Sequence, residues 1–161
     1  MNDIKKIMAA ICFSHYCEGT YDLAAELASK FDAKLILANV INIRDVEAVS
    51  TIENMGYDVH TKNYIEVIEE ERIEQLEKLV DNSHFPRDHV KIVFQVGHPY
   101  EELMKVIHQE EVDLVVMGAK GRTDLEHVLV GSIAEKLFRH SPVTVVSNRQ
   151  KRPTPAKSHR A

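Results

Sequence analysis

Apolar positions along this chain fall into short unbroken runs, separated by stretches in which they recur at helical spacing. Ile4 to Phe13 (IKKIMAAICF) is apolar after its lysines and does not alternate, the pattern of a strand covered on both faces. In Tyr21 to Phe31, Leu23, Ala24, Leu27, Ala28 and Phe31 share one helical face, so strand and helix form a first unit. Lys34 to Ile41 (KLILANVI) repeats the buried-strand pattern, and Tyr64 to Val80 carries Ile65, Ile68, Ile73, Leu76 and Val80 on one side of an acidic helix. His89 to Val96 reads as a third strand, Pro99 to His108 as a short helix opened by proline, and Val112 to Met117 (VDLVVM) as a fourth strand. Ser132 to His140 reads as a helix, and Pro142 to Ser147 (PVTVVS) as a fifth strand whose leading proline suits an edge or a strand start.

Strands that alternate with helices through short connections must pair in parallel by right-handed crossovers. The expected architecture is therefore α/β, an open five-stranded parallel sheet with helices on both faces. Ligands of such sheets bind beyond the carboxyl ends of the strands, where strand order reverses, and Gly118 falls at such an end. One connection is long, Asn42 to Asn63, with turn signals at Gly56 and Asp58. It reads equally as a lid or as a surface insertion with a short helix.

Length and composition narrow the classes. At 161 residues, 44% hydrophobic and 28% charged, the chain suits one domain over 1–147 with a substantial core. It has neither a signal-peptide pattern nor the ~20 apolar residues of a membrane helix, which places the expected protein in the cytoplasm. Two cysteines, Cys12 and Cys17, make no disulfide framework, and nine scattered histidines show no zinc spacing. The net charge of -5 is uneven, because 148–161 holds Arg149, Lys151, Arg152, Lys157 and Arg160 and no acid. The remaining body is strongly acidic and should repel nucleic acid, while the tail, with Pro153 and Pro155, reads as a disordered, solubilising end.

The chemistry concentrates after the fourth strand, in Gly118-Ala-Lys-Gly121, nine residues, then Gly131-Ser132 before a helix. Gly118 and Gly121 permit left-handed backbone and close approach of a ligand to main-chain N–H groups. Gly131 and Ser132 stand at a helix N-terminus, where unpaired N–H groups and the dipole favour phosphate. Neither a Walker loop nor a GxGxxG dinucleotide pattern is present, and turn chemistry with Ser132 as a cap would use the same residues.

The segment MGAKGRTDLEHVLVGSIAEKLFRHSPVTVV resembles the closing signature of universal stress proteins. IMAAICFSHYCEGTYDLAAELA is similar to that family's first strand and helix, and ILANVI to its second strand. The resemblance covers nearly the whole globular part and implies the adenine-nucleotide alpha-hydrolase-like fold with an adenine nucleotide, ATP or AMP, as ligand. Carried over by position, it implies phosphate contacts from Gly118, Gly121, Gly131 and Ser132, with the backbone of Val40 near the adenine. Cys12, Phe13, Ser14, Met117 and Ile133 flank these positions and complete the candidate site, with Arg122 and Lys120 as charge partners for the phosphates. The family usually has Asp where this chain has Cys12, which removes an acceptor for nucleoside hydroxyls or amine. His15 is a candidate replacement.

Catalysis would need a nucleophile, a base or a metal-bound water near the phosphates, and no such set is visible. Asp124 and Glu126 could bind Mg²⁺ and His127 could be called a base, but carboxylates on a solvated loop are usually only that, and a lone loop histidine without an orienting partner is more often a surface or packing residue. The expected role is a nucleotide-binding protein of stress response or signalling, at most a slow ATPase. The competing reading is a homodimeric interaction protein that binds no nucleotide. In either reading a homodimer is expected through the fifth strand, Pro142 to Ser147, an apolar edge with no helix after it.

Overall fold

The computed structural model describes residues 3–13, 17–119 and 131–149. Five strands form one parallel sheet: β1 (Lys6–Ala10), β2 (Lys34–Asn42), β3 (Val90–Gly97), β4 (Leu114–Gly118) and β5 (Thr144–Asn148). Their order is β3-β2-β1-β4-β5, and every adjacent pair is parallel. The helices are α1 (Cys17–Phe31), α2 (Ile43–Asn54), α3 (Thr61–Asp81), α4 (Pro99–Gln109) and α5 (Ser132–His140).

The unbroken apolar runs follow from this layering. Successive side chains of a strand point to opposite faces, so Ile7 and Ala9 of β1 pack with Tyr21, Ala24 and Ala28 of α1 and with Leu76 and Val80 of α3. Met8 faces the other way, into a second core with Leu103 and Val106 of α4 and Ala134 and Leu137 of α5. Both faces of the central strands are covered, so their buried side chains are apolar apart from Asn39 of β2.

Left-handed residues set several boundaries. β1 ends at Ala10 rather than at Phe13, because Phe13 has φ 52° and cannot continue a ladder, although Ile11 N–H still donates to Ala38 O at 2.9 Å. β4 begins at Leu114, two residues later than the apolar run, since Glu111 (φ 54°) closes α4 and Val112 N–H donates back to Ile107 O. Pro142 and Val143 precede β5, where Ser141 Oγ bonds both the N–H and the carbonyl of Val143. At its far end β5 runs through Asn148, the first residue of the expected tail, because Asn148 O accepts from Ala119 N–H. Residues 150–161 of that tail lie outside the described residues.

The long connection after β2 contains a helix, α2, followed by Gly56 at φ 90°. Asn42 Oδ1 caps α2 by accepting from Arg44 N–H at 3.0 Å. The Glu53 carboxylate opens α3 by accepting from the Thr61 hydroxyl at 2.6 Å and backbone at 3.1 Å. No helix among the described residues is long and apolar enough to cross a membrane.

Candidate functional site

Strand order reverses between β1 and β4, since β1 is followed in the sheet by β2 on one side and β4 on the other. At the carboxyl ends of these three strands lies a cavity of about 620 Å³, within the size range of small-ligand sites. Ala10 of β1 with Ile11 and Cys12 beyond it, Ala38 to Val40 of β2, and Met117 and Gly118 of β4 form its floor. The first turn of α5, the start of α4 and the start of α2 form its walls.

One end of the cavity is suited to an anion. Gly131 is the N-cap of α5, without a side-chain cap, and Ser132 opens the helix. The first-turn N–H groups and the dipole of this nine-residue helix stand in the cavity wall. Gly131 N–H donates to Ala119 O at 2.8 Å, which ties the helix start to the end of β4. Neither described glycine of the motif uses left-handed backbone: Gly118 is the last residue of β4, and Gly131 has φ -67° and ψ 156°. The expectation of a left-handed turn therefore does not hold for Gly118.

The other end is polar and tightly braced. Asn39, 2% exposed, donates from Nδ2 to Ile11 O at 2.6 Å and accepts at Oδ1 from Arg72 Nη1 at 2.8 Å. The same Nη1 lies 3.3 Å from Val40 O, and the guanidinium carbon sits 5.7 Å from the centre of the Phe13 ring. Arg44 and Asp45 from the start of α2 complete this end, so the long connection supplies a wall.

Seven of the twelve expected site residues line the cavity together: Cys12, Val40, Met117, Gly118, Gly131, Ser132 and Ile133. Phe13 enters through its contact with Arg72. Ser14, Lys120, Gly121 and Arg122 lie outside the described residues, as do His15, Asp124, Glu126 and His127. Among the described residues no group of three His, Cys, Asp or Glu side chains could hold a metal ion. Sequence reasoning missed Asn39, Arg44 and Arg72. Two signals were there to find: Asn39 is the one polar side chain inside LILANVI, and Arg72 falls between Ile68 and Leu76 on the apolar stripe of α3.

Neither cysteine is in a disulfide, and both are of intermediate exposure. Burial, with the neighbouring Cys12 as the next cause, pushes the Cys17 thiol up to about 11, so it stays protonated at neutral pH and is a poor nucleophile.

Comparison with known proteins agrees with the fold and the motif. The model of the universal stress protein family matches residues 3–147. A universal stress protein of Methanocaldococcus jannaschii, MJ0577, is 27% identical over 158 residues, covering 90% of this chain and 96% of the relative. The solved structure of MJ0577 superposes with a TM-score of 0.73 over 94% of this chain and all (100%) of that one. UspA from Lactobacillus plantarum, at 19% identity, has a TM-score of 0.72 over 92% of this chain and 100% of its own. A universal stress protein solved in complex with cAMP shares the fold at 18% identity and a TM-score of 0.58, over 91% of this chain and 98% of that one. With the family match running from the strand before the first helix to the last strand of the sheet, this chain belongs to the universal stress protein family.

Proposed function

We propose that the chain binds an adenine nucleotide, ATP or AMP, in the cavity at the strand switch point, and acts as a cytoplasmic stress-response or signalling protein through that bound state. The observation that carries this reading is the two-ended cavity: a helix N-terminus without a side-chain cap at Gly131 and Ser132, and the end of β2 at Val40 across β1. Phosphates would sit against α5, with Gly118 at the end of β4 and, on the resemblance, Gly121, Arg122 and Lys120 closing over them. The complex of a family relative with cAMP supports an adenine nucleotide as the ligand class. Mg²⁺ would accompany a triphosphate as a companion to the phosphates, and the chain would act at most as a slow ATPase. A homodimer through the edge strand β5 belongs to the same reading.

Thermal unfolding with ATP, ADP and AMP, each with and without Mg²⁺, tests it. The wild type should be protected, and Gly131→Val should lose that protection while folding, because φ -67° and ψ 156° suit valine. A folded Gly131→Val protein protected by ATP as well as wild type would reject the pocket assignment. A wild type protected by none of the three would favour an interaction protein without nucleotide.

A further inference from the structure

Exposure separates the floor of the cavity from its mouth. Ile11, Ala38 and Met117 are buried and apolar, whereas Arg44, in the first turn of α2, lines the same cavity and is exposed. Arg44 therefore stands at the mouth. Its main chain is held to the end of β2, because Arg44 N–H donates to Asn42 Oδ1 at 3.0 Å, and Val40 and Asn42 line the cavity just before it.

The charged side chains of the described lining are Arg44, Asp45 and Arg72. Arg72 is committed to Asn39 Oδ1, to Val40 O and to the Phe13 ring, and both it and Asp45 have further interactions. Among the described residues the Arg44 guanidinium has no ion pair or hydrogen bond. Asp45 is its neighbour in sequence, and adjacent residues of a helix do not face each other. A cation in the first turn of a helix is also opposed by the dipole, so local stability does not account for an arginine there.

The strands β4, β1 and β2 are consecutive in the sheet, and with ~4.8 Å between neighbours the end of β2 lies about 10 Å from the end of β4. A nucleotide whose phosphates rest against α5 brings its base to the end of β2. One face of that base lies on the apolar floor and the other is turned to the mouth, where Arg44 stands. A guanidinium is planar and weakly hydrated, and it stacks on aromatic faces, those of bases included.

We propose that Arg44 is the outer cover of the nucleotide base, its guanidinium stacking on the face that the cavity floor leaves to solvent. The inference rests on the nucleotide reading above. Because every base has a π-face, this contact adds affinity without choosing among bases.

Calorimetric titration of the full chain, with whichever of ATP, ADP and AMP protects the wild type, decides it for wild type, Arg44→Ala, Arg44→Tyr and Arg44→Lys. Arg44→Ala should bind about tenfold more weakly, the scale of one cation–π contact in an affinity, with its melting temperature without ligand unchanged. Arg44→Tyr supplies a plane without a charge and should come within about threefold of wild type. Arg44→Lys supplies a charge without a plane and should recover less than the tyrosine variant. Arg44→Ala binding as tightly as wild type overturns the proposal. Recovery by lysine but not by tyrosine overturns it as well, since Arg44 would then be a charge partner of the phosphates. A wild type that binds none of the three nucleotides removes the nucleotide reading, and this inference with it.

Discussion

The side-chain amide of Asn39 completes the ladder that β1 leaves unfinished, donating to the Ile11 carbonyl oxygen at 2.6 Å from a site only 2% exposed. Its other end accepts from Arg72 at 2.8 Å. One buried amide thus joins β1, β2 and α3 at the point where the cavity opens. Asn39→Ala should cost about 2–4 kcal/mol, because it orphans a buried carbonyl and removes a partner of the guanidinium. Urea denaturation measures this, and a change in midpoint worth under ~0.5 kcal/mol would show that the network carries no stability.

Cys12 occupies the position where the family resemblance places an aspartate, and it lines the same cavity as Arg72. Cys12→Asp restores an acceptor for a nucleoside hydroxyl or amine, and should tighten ATP by about tenfold. Isothermal titration checks it. Unchanged affinity in a folded variant would mean that β1 makes no such contact, and lower stability without tighter binding would mark Cys12 as a packing residue.

Alkali should destabilise the fold. Burial, with Cys12 behind it, raises the Cys17 thiol from its ordinary 9.0 to about 11, and burial likewise raises the Tyr21 phenol, which hydrogen-bonds Ser83 at 2.7 Å. Both groups are neutral when protonated, so the unfolded chain releases these protons first. The stabilising contribution of each is complete below its unfolded pKa and is lost at higher pH, for Cys17 as pH rises from about 9 toward 11. Melting temperatures across that interval should fall, and fall less in Cys17→Ser. Equal slopes for the two proteins would contradict the assignment to Cys17.

The edge strand β5 gives the test of assembly. Val145 packs against the α4–α5 core and Val146 against the opposite one, so a charge at either would damage the fold as well as any interface. Thr144 is exposed at the start of the strand. Thr144→Lys should place like charges face to face across a two-fold axis and give a monomer by light scattering, with the melting temperature little changed. A monomeric wild type, or a variant that remains wholly dimeric, would rule out this edge as the interface.

Much of the architecture was fixed by local chemistry. Runs such as KLILANVI and VDLVVM can only be strands covered on both faces, and their alternation with helices leaves a parallel sheet as the solution, so the element order and the family were legible from the sequence. The motif from Gly118 to Gly131-Ser132 likewise marked one wall of the cavity, since a strand end and a helix start are local properties. Strand boundaries were less legible, because they depend on single left-handed residues, Phe13 and Glu111, that carry no glycine to announce them. The other end of the cavity came only from tertiary structure. Asn39 and Arg72 are 33 residues apart, and nothing local to either one states that α3 crosses behind the end of β2. Their meeting follows from the sheet order and from helix packing, and so the brace around Val40 was decided by the assembled fold.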